Sequence, residues 1–149
     1  MIRKVQFQDA ASIAEIYNYY VENTIVTFEE QPVTPEQIAG RIQDVTTEYP
    51  WFVYELDGRV VGYSYASRFH SRCSYRNTVE TTAYVHKGFP GRGIGSQLYG
   101  KLLSSIKQQE LHTALGLLAI PNPASEKLHQ KFGFEKVAHL KQVGFKFGK

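Results

Sequence analysis

The ten residues His86–Gly95, "HKGFPGRGIG", hold four glycines, and a helix pattern begins directly behind them. Glycine loses more backbone freedom on folding than any other residue, so such a run needs something that offsets the cost. Gly91, Arg92, Gly93, Ile94, Gly95 and Ser96 can turn successive backbone N–H groups toward one point at a helix start. That nest, reinforced by the helix dipole, holds a pyrophosphate without needing a lysine, and Arg92 adds charge at its rim. Two better-known phosphate loops fail on spacing. A P-loop requires Lys after its second glycine, and here Ile94 follows Gly88-x-x-x-x-Gly93. A dinucleotide fingerprint requires Gly-x-Gly-x-x-Gly, and after Gly91-Arg92-Gly93 the next glycine is Gly95, out of register. A flexible surface turn is the plain alternative, and the loop alone does not decide between them.

One strand earlier, "TVETT" sets Glu80 among β-branched residues. A carboxylate inside a strand either faces solvent or, if buried, needs a partner or a chemical task. Accepting a proton is the task such a group performs. One strand later, Asn122 in "IPNPAS" precedes Pro123, which is the pattern of a helix N-cap followed by Pro at N1. "TIVTFEEQPV" is irregular and carries Thr27, Phe28 and Glu29, a candidate functional loop. "SRFHSRCSYRN" is polar and basic, with Arg68, Arg72 and Arg76. His70, His86, His112, His129 and His139 lack the short paired spacing of metal sites, and Cys73 is the single cysteine. No metal and no internal disulfide are expected.

The elements that must position these groups follow from periodicity. "IRKVQ" (Ile2–Gln6) alternates as a short strand, and Asp9 is a plausible cap for a helix with Ile13, Ile16, Tyr17, Tyr20 and Val21 on one face. Thr34, Pro35 and Gln37 spell a capping-box start for a second helix bearing Ile38, Ile42 and Val45. "WFVYELDGRVVGYSYA" is a hairpin turning at Asp57-Gly58. "TVETTAYVH" (Thr78–His86) is a strand, and a helix runs from about Gly95 to Gln109 with Leu98, Leu102, Leu103 and Ile106 inward. "HTALGLLAI" reads as a buried strand. "NPASEKLHQKFGF" is a helix stopping at Gly133, and "EKVAHLKQVGFKF" closes with strand character. The order β-α-α-β-β-β-α-β-α-β, with a possible short last strand, predicts an α+β (α/β) sheet flanked by helices. The strand, loop, helix, strand unit of the second half should be a right-handed parallel crossover.

A chain of 149 residues suits a single domain, residues 1–149. The formal charge of +3 comes from scattered basic residues, which does not make a nucleic-acid footprint. No apolar run approaches the length of a membrane span and the start has no signal-type core, so a soluble cytoplasmic protein is expected.

The glycine loop resembles the pyrophosphate motif of the GNAT acetyltransferases, Gln/Arg-x-x-Gly-x-Gly/Ala, with Gly93 and Gly95 on its fixed positions and Pro90 where Gln or Arg is usual. "IYNYYVENTIVTFEEQPVT", "YPWFVYELDGRVVGYSYAS", "YRNTVETTAYVH", "IPNPASEKLHQKFGF" and "VGFKFGK" are similar, in that order, to the phosphinothricin and methionine sulfoximine acetyltransferase family. The resemblance spans nearly the whole chain. It implies the GNAT fold, a mixed central sheet flanked by helices. It implies acetyl transfer from acetyl-CoA to the amine of a small amino-acid-like substrate, with Glu80 as general base. By the same resemblance the Val85 amide donates to the thioester carbonyl, Ala83, Tyr84 and Val85 border the pantetheine arm, and Asn122 contacts it as well as capping its helix. His129 stands where many members carry a Tyr that protonates the leaving thiolate. It either takes that role, binds substrate or is an ordinary helix-face histidine. Tyr75, Arg76, Phe28 and Glu29 are the implied substrate contacts, with Lys146 and Phe147 near the end of the chain as further walls. A homodimer is implied. Members continue past "KFG" into a final strand, so that strand is expected to be missing or unusually short here. Two other readings stay open: a GNAT enzyme for protein N-termini or polyamines, and a non-catalytic acyl-CoA-binding module, against which the intact Glu80 argues.

Overall fold

The structure, a computed structural model, describes residues 1–149. Its elements are β1 (Ile2–Lys4), α1 (Ala10–Asn23), α2 (Pro35–Thr46), β2 (Trp51–Leu56), β3 (Arg59–Arg68), β4 (Thr78–Val85), α3 (Ile94–Gln108), β5 (Thr113–Leu115) and α4 (Pro123–Lys131). The five strands lie in sequence order in one sheet. β1 to β4 are antiparallel neighbours, and the β4–α3–β5 crossover makes the last pair parallel. This is the mixed sheet with flanking helices that the periodicity predicts.

The apolar stripes explain how the layers stack. On one face of the sheet, Ile13, Ile16 and Val21 of α1 and Ile38 and Ile42 of α2 pack on Trp51, Val53 and Tyr63. On the other, Ile94, Leu98, Leu102 and Ile106 of α3 pack on Phe52, Val61 and Val79. Leu98 is fully buried, so truncating it to Ala costs about 2–5 kcal/mol.

Local signals act as read at α2 and at the hairpin. Thr34 Oγ1 accepts the Gln37 amide at 3.2 Å, and Gln37 Oε1 accepts the Thr34 amide at 2.9 Å. Asp57 and Gly58 both take positive φ, 50° and 74°, the turn that matches strand twist. Asp9 differs from expectation. It sits at the α1 cap position but its side chain makes no cap bond there. Its carboxylate is taken by two Arg3 nitrogens at 2.8 Å and by the Gln6 amide at 2.8 Å. A paired guanidinium outcompetes a backbone amide for a buried carboxylate.

Two strand expectations are corrected. The β5 ladder covers only Thr113–Leu115, and residues 135–145 form no strand. β propensity becomes a strand only where a neighbouring backbone offers partners. The β5 pairing with β4 ends at Glu80–Leu115, and beyond it the two chains separate.

Candidate active site

That separation creates the site. His86 donates its amide to Val61 across the β3–β4 ladder, while Asn77 gives its carbonyl to β5-side amides of His112 and Thr113. Peptide groups alternate along a strand, so the amides of Ala83 and Val85 face away from β3. No strand lies on that side past Glu80. β4 therefore offers an open edge of backbone donors in the middle of the fold. Tyr20 of α1 closes one end of it, donating its hydroxyl to the Val85 carbonyl at 2.5 Å.

The glycine loop ends beside this edge. Gly91 and Gly93 take φ of 70° and 72°, which an L side chain rarely adopts, and Gly93 is the cap residue of α3. Because Gly93 supplies no side-chain cap, the first amides of α3 are left for a ligand. A Cβ on Gly95 would lie 3.7 Å from the Val85 side chain, so loop and open edge meet there. Arg92 lies over the Phe89 ring at 5.2 Å. Lys131 of α4 reaches Ser96 Oγ at 3.1 Å and adds a cation beside the helix start, a neighbour 35 residues away that no local spacing signals. Pro90 is exposed. It fixes its own φ and restricts Phe89, which stiffens a glycine-rich turn before any ligand arrives.

Asn122 accepts the Ser125 amide at 3.3 Å and so caps α4 as expected. His129 on α4 is held at both nitrogens. Nδ1 lies 2.7 Å from the Ser125 carbonyl and Nε2 lies 2.9 Å from the Tyr99 hydroxyl. A carbonyl can only accept, so Nδ1 carries the hydrogen and Nε2 receives the Tyr99 O–H. The Tyr99 oxygen is also 2.7 Å from Thr81 Oγ1. Burial pushes the Tyr99 phenol up to about 12, so it stays protonated. Tyr99 lay hidden in the sequence as one more buried position of α3.

On the opposite face, alternation places Glu80, Thr82 and Tyr84 toward α1 and α2, where Tyr84 packs on Tyr17, Tyr20 and Tyr63. Glu80 is half-buried and its carboxylate makes no ion pair or hydrogen bond with the protein. Burial alone raises its pKa above the ordinary carboxylate value. Phe28 and Glu29 lie on the loop after α1. The Glu29 carboxylate is already occupied: Arg41 of α2 donates twice, at 3.0 and 2.5 Å, and Tyr17 donates a short hydroxyl bond. These bonds, Arg41 first, hold Glu29 below its usual value. Lys146, buried, donates to the Val21 and Thr27 carbonyls at 2.6 and 2.9 Å and pins the chain end onto the same loop. Tyr75 and Arg76 stand apart from this group. Tyr75 is exposed against Phe69 and His70, and Arg76 bonds the Cys73 carbonyl at 3.2 Å. Among histidine, cysteine and acidic side chains, no group of three is gathered as a metal site. No helix is long and apolar enough to cross a membrane.

The comparisons with known proteins agree with this geometry. The family model "Acetyltransferase (GNAT) domain" matches residues 2–149. The chain is 34% identical over 149 residues to an L-methionine sulfoximine/L-methionine sulfone acetyltransferase of Salmonella typhimurium, covering 99% of this chain and 87% of that protein. It superposes with a TM-score of 0.96 and 34% identity on a phosphinothricin acetyltransferase from Sinorhizobium meliloti in complex with acetyl-CoA, covering all of this chain and 82% of that one. A ribosomal-protein-alanine N-acetyltransferase from Brucella melitensis superposes with a TM-score of 0.97 at 33% identity, over all of this chain and 93% of that one. An open strand edge beside a glycine-capped helix, on a sheet shared with these relatives, thus has one reading: the chain is an N-acetyltransferase and belongs to the GNAT superfamily, in its phosphinothricin and methionine sulfoximine acetyltransferase family.

Proposed function

We propose that this enzyme transfers the acetyl group of acetyl-CoA to the amine of a small amino-acid-like substrate of the phosphinothricin, methionine sulfoximine or methionine sulfone type. The observation that carries the reading is the open edge of β4 with Glu80 on the same strand, half-buried and unpaired. Ala83, Tyr84 and Val85 border the pantetheine arm, and the loop Gly91–Ser96 with Arg92 takes the pyrophosphate. Asn122 lies along the same arm.

Glu80 accepts the ammonium proton, directly or through one water, and the freed amine attacks the thioester carbon. The Val85 amide donates to the carbonyl oxygen as charge develops on it. The C–S bond breaks and the sulfur leaves as a thiolate. His129 is the proton source for that sulfur in its imidazolium form, with a hydrogen on each ring nitrogen: the Tyr99 hydroxyl gives its hydrogen to the sulfur and takes the one on Nε2, while Nδ1–H stays on the Ser125 carbonyl. Phe28 and Glu29 wall the amine side, with Glu29 steadied by Arg41. Tyr75 and Arg76, on the exposed turn before β4, are the side chains we assign to the substrate's anionic end.

We also propose a homodimer. Val137, Leu140, Val143 and Phe145 are 69–80% exposed, and residues 135–145 make no backbone hydrogen bonds. A second copy offers the same unpaired, apolar segment, so a two-fold arrangement satisfies both at once.

The test is a thiol-release screen over amino-acid analogues, peptides with free α-amines and polyamines. Turnover of methionine sulfoximine or phosphinothricin supports the reading. Preference for a peptide α-amine supports the second reading, which the superposition on the Brucella melitensis enzyme favours. Tight coenzyme A binding with no acceptor turned over leaves a non-catalytic module.

A further inference from the structure

His86 ends β4 and begins the glycine loop, and none of the roles above uses its side chain. Its Nδ1 accepts the Gly88 amide at 3.0 Å, two residues ahead. Asn and Asp make this same bond in Asx turns, so His86 acts here as an Asx-turn residue with a longer reach. Its carbonyl accepts the Phe89 amide at 3.0 Å and completes the turn. The imidazole also meets the Phe89 ring edge-on at 5.6 Å, and that ring carries Arg92.

The other side of the ring is anchored elsewhere. Because Nδ1 accepts, the neutral ring has its hydrogen on Nε2. Nε2 lies 3.1 Å from Arg59 Nη2 of β3 and 3.6 Å from Glu15 Oε1 of α1, and Arg59 binds that same oxygen at 3.0 Å; a guanidinium cannot accept, so the Nε2 hydrogen has only the Glu15 carboxylate to turn toward. The imidazole is only 14% exposed although Glu15 is 60% exposed. One ring thus joins the first turn of the glycine loop to helix α1 and to the hairpin.

We propose that His86 is a positioning residue for coenzyme A: through Nδ1 it sets the turn from which the loop Gly88–Ser96 is aimed. The proposal rests on the acetyl-transfer reading, in which that loop takes the pyrophosphate. It makes a prediction about which ring nitrogen matters. The side-chain oxygen of Asn superposes on Nδ1, and that of Gln on Nε2. His86→Asn therefore keeps the bond to Gly88, whereas His86→Gln keeps only the contact toward Glu15 and Arg59.

The experiment measures coenzyme A binding by calorimetry for the wild type and for His86→Ala, His86→Asn and His86→Gln. Thermal midpoints and the KM values for acetyl-CoA and for the amine are measured alongside. Loss of one preorganising hydrogen bond predicts about five- to tenfold weaker coenzyme A binding in His86→Ala and His86→Gln. His86→Asn stays within about twofold of wild type, and the amine KM stays unchanged throughout. Equal binding by His86→Ala overturns the proposal. So does rescue by Gln and not by Asn, which assigns the effect to the Glu15 side. A wild-type chain that binds no coenzyme A overturns the acetyl-transfer reading, and this proposal with it.

Discussion

The hydroxyl of Tyr99 stands 2.9 Å from Nε2 of His129, and through Thr81 the same oxygen touches the strand that carries Glu80. Three elements that separate around the open edge of β4 are thereby tied at one buried atom. Tyr99→Phe removes that atom and leaves the ring in place. It also leaves His129 Nε2 without its donor, while the Thr81 hydroxyl keeps the Leu115 carbonyl at 3.2 Å. The expected cost is about 1–3 kcal/mol of stability. If His129 acts through this hydroxyl, kcat falls while the acetyl-CoA KM holds. Thermal melts and steady-state kinetics on the one variant check both.

Gly116 reports on the same histidine from the other side. A Cβ at that position would overlap the His129 ring, so Gly116→Ala must move the imidazole off the β5 extension. The expected result is destabilisation together with loss of activity. Restoring space with a second change, His129→Ala, should recover stability and leave activity low.

If Glu80 is the base proposed above, it couples activity to stability with opposite signs. Burial raises its folded pKa, so folding is penalised wherever the carboxylate is ionised in the unfolded chain. The penalty is absent at pH below the unfolded carboxylate value, and present in full above the raised folded value. Glu80→Gln should therefore match or exceed the wild-type melting temperature at neutral pH, with the gain vanishing in acid. The same change should lower kcat/KM by about 10²–10⁴-fold, the scale of a positioned general base. In the wild type, kcat/KM should fall as pH drops through the Glu80 titration, which burial moves upward from the ordinary glutamate value.

Glu29 gives the opposite pH sign. Arg41 and Tyr17 depress its folded pKa, so its contribution to stability is complete above the unfolded value and is lost as pH falls through the lower folded one. Glu29→Gln should narrow the gap between the neutral and acid melting temperatures. Arg41→Met leaves Glu29 with Tyr17 alone, and should raise the amine KM more than the acetyl-CoA KM, since the loop bearing Phe28 is then loosened.

What could be read from the chain beforehand is what neighbouring residues decide. Thr34 with Gln37, Asp57 with Gly58 and Asn122 with Ser125 settle their geometry within a few residues, and each formed as its spacing implies. Glu29 with Arg41, His86 with Glu15 and Tyr99 with His129 are set by how α1, α2, α3 and α4 lie on the sheet. No local spacing marks them. The closing segment departs from its strand pattern for a related reason. Residues 135–145 have strand-forming side chains, but a strand also needs a partner backbone, and this chain folds without offering one there.

Gly93 and Gly95 match the same motif, yet the structure gives them different work. Gly93 has φ of 72°, so Gly93→Ala strains the cap of α3 whether or not a ligand is present. Gly95 lies inside α3, and its added Cβ would make only an ordinary contact of 3.7 Å with Val85. Ala is the better helix former by about 0.5–1 kcal/mol, so Gly95→Ala should fold as well as wild type or better. If the pantetheine and pyrophosphate cross this point, the same methyl obstructs them. Gly93→Ala is then expected to lower both the melting temperature and coenzyme A affinity. Gly95→Ala is expected to lower affinity alone. Calorimetric titration with coenzyme A beside a thermal melt separates the two. An unimpaired Gly95→Ala variant would mean that the cofactor does not pass over the first turn of α3.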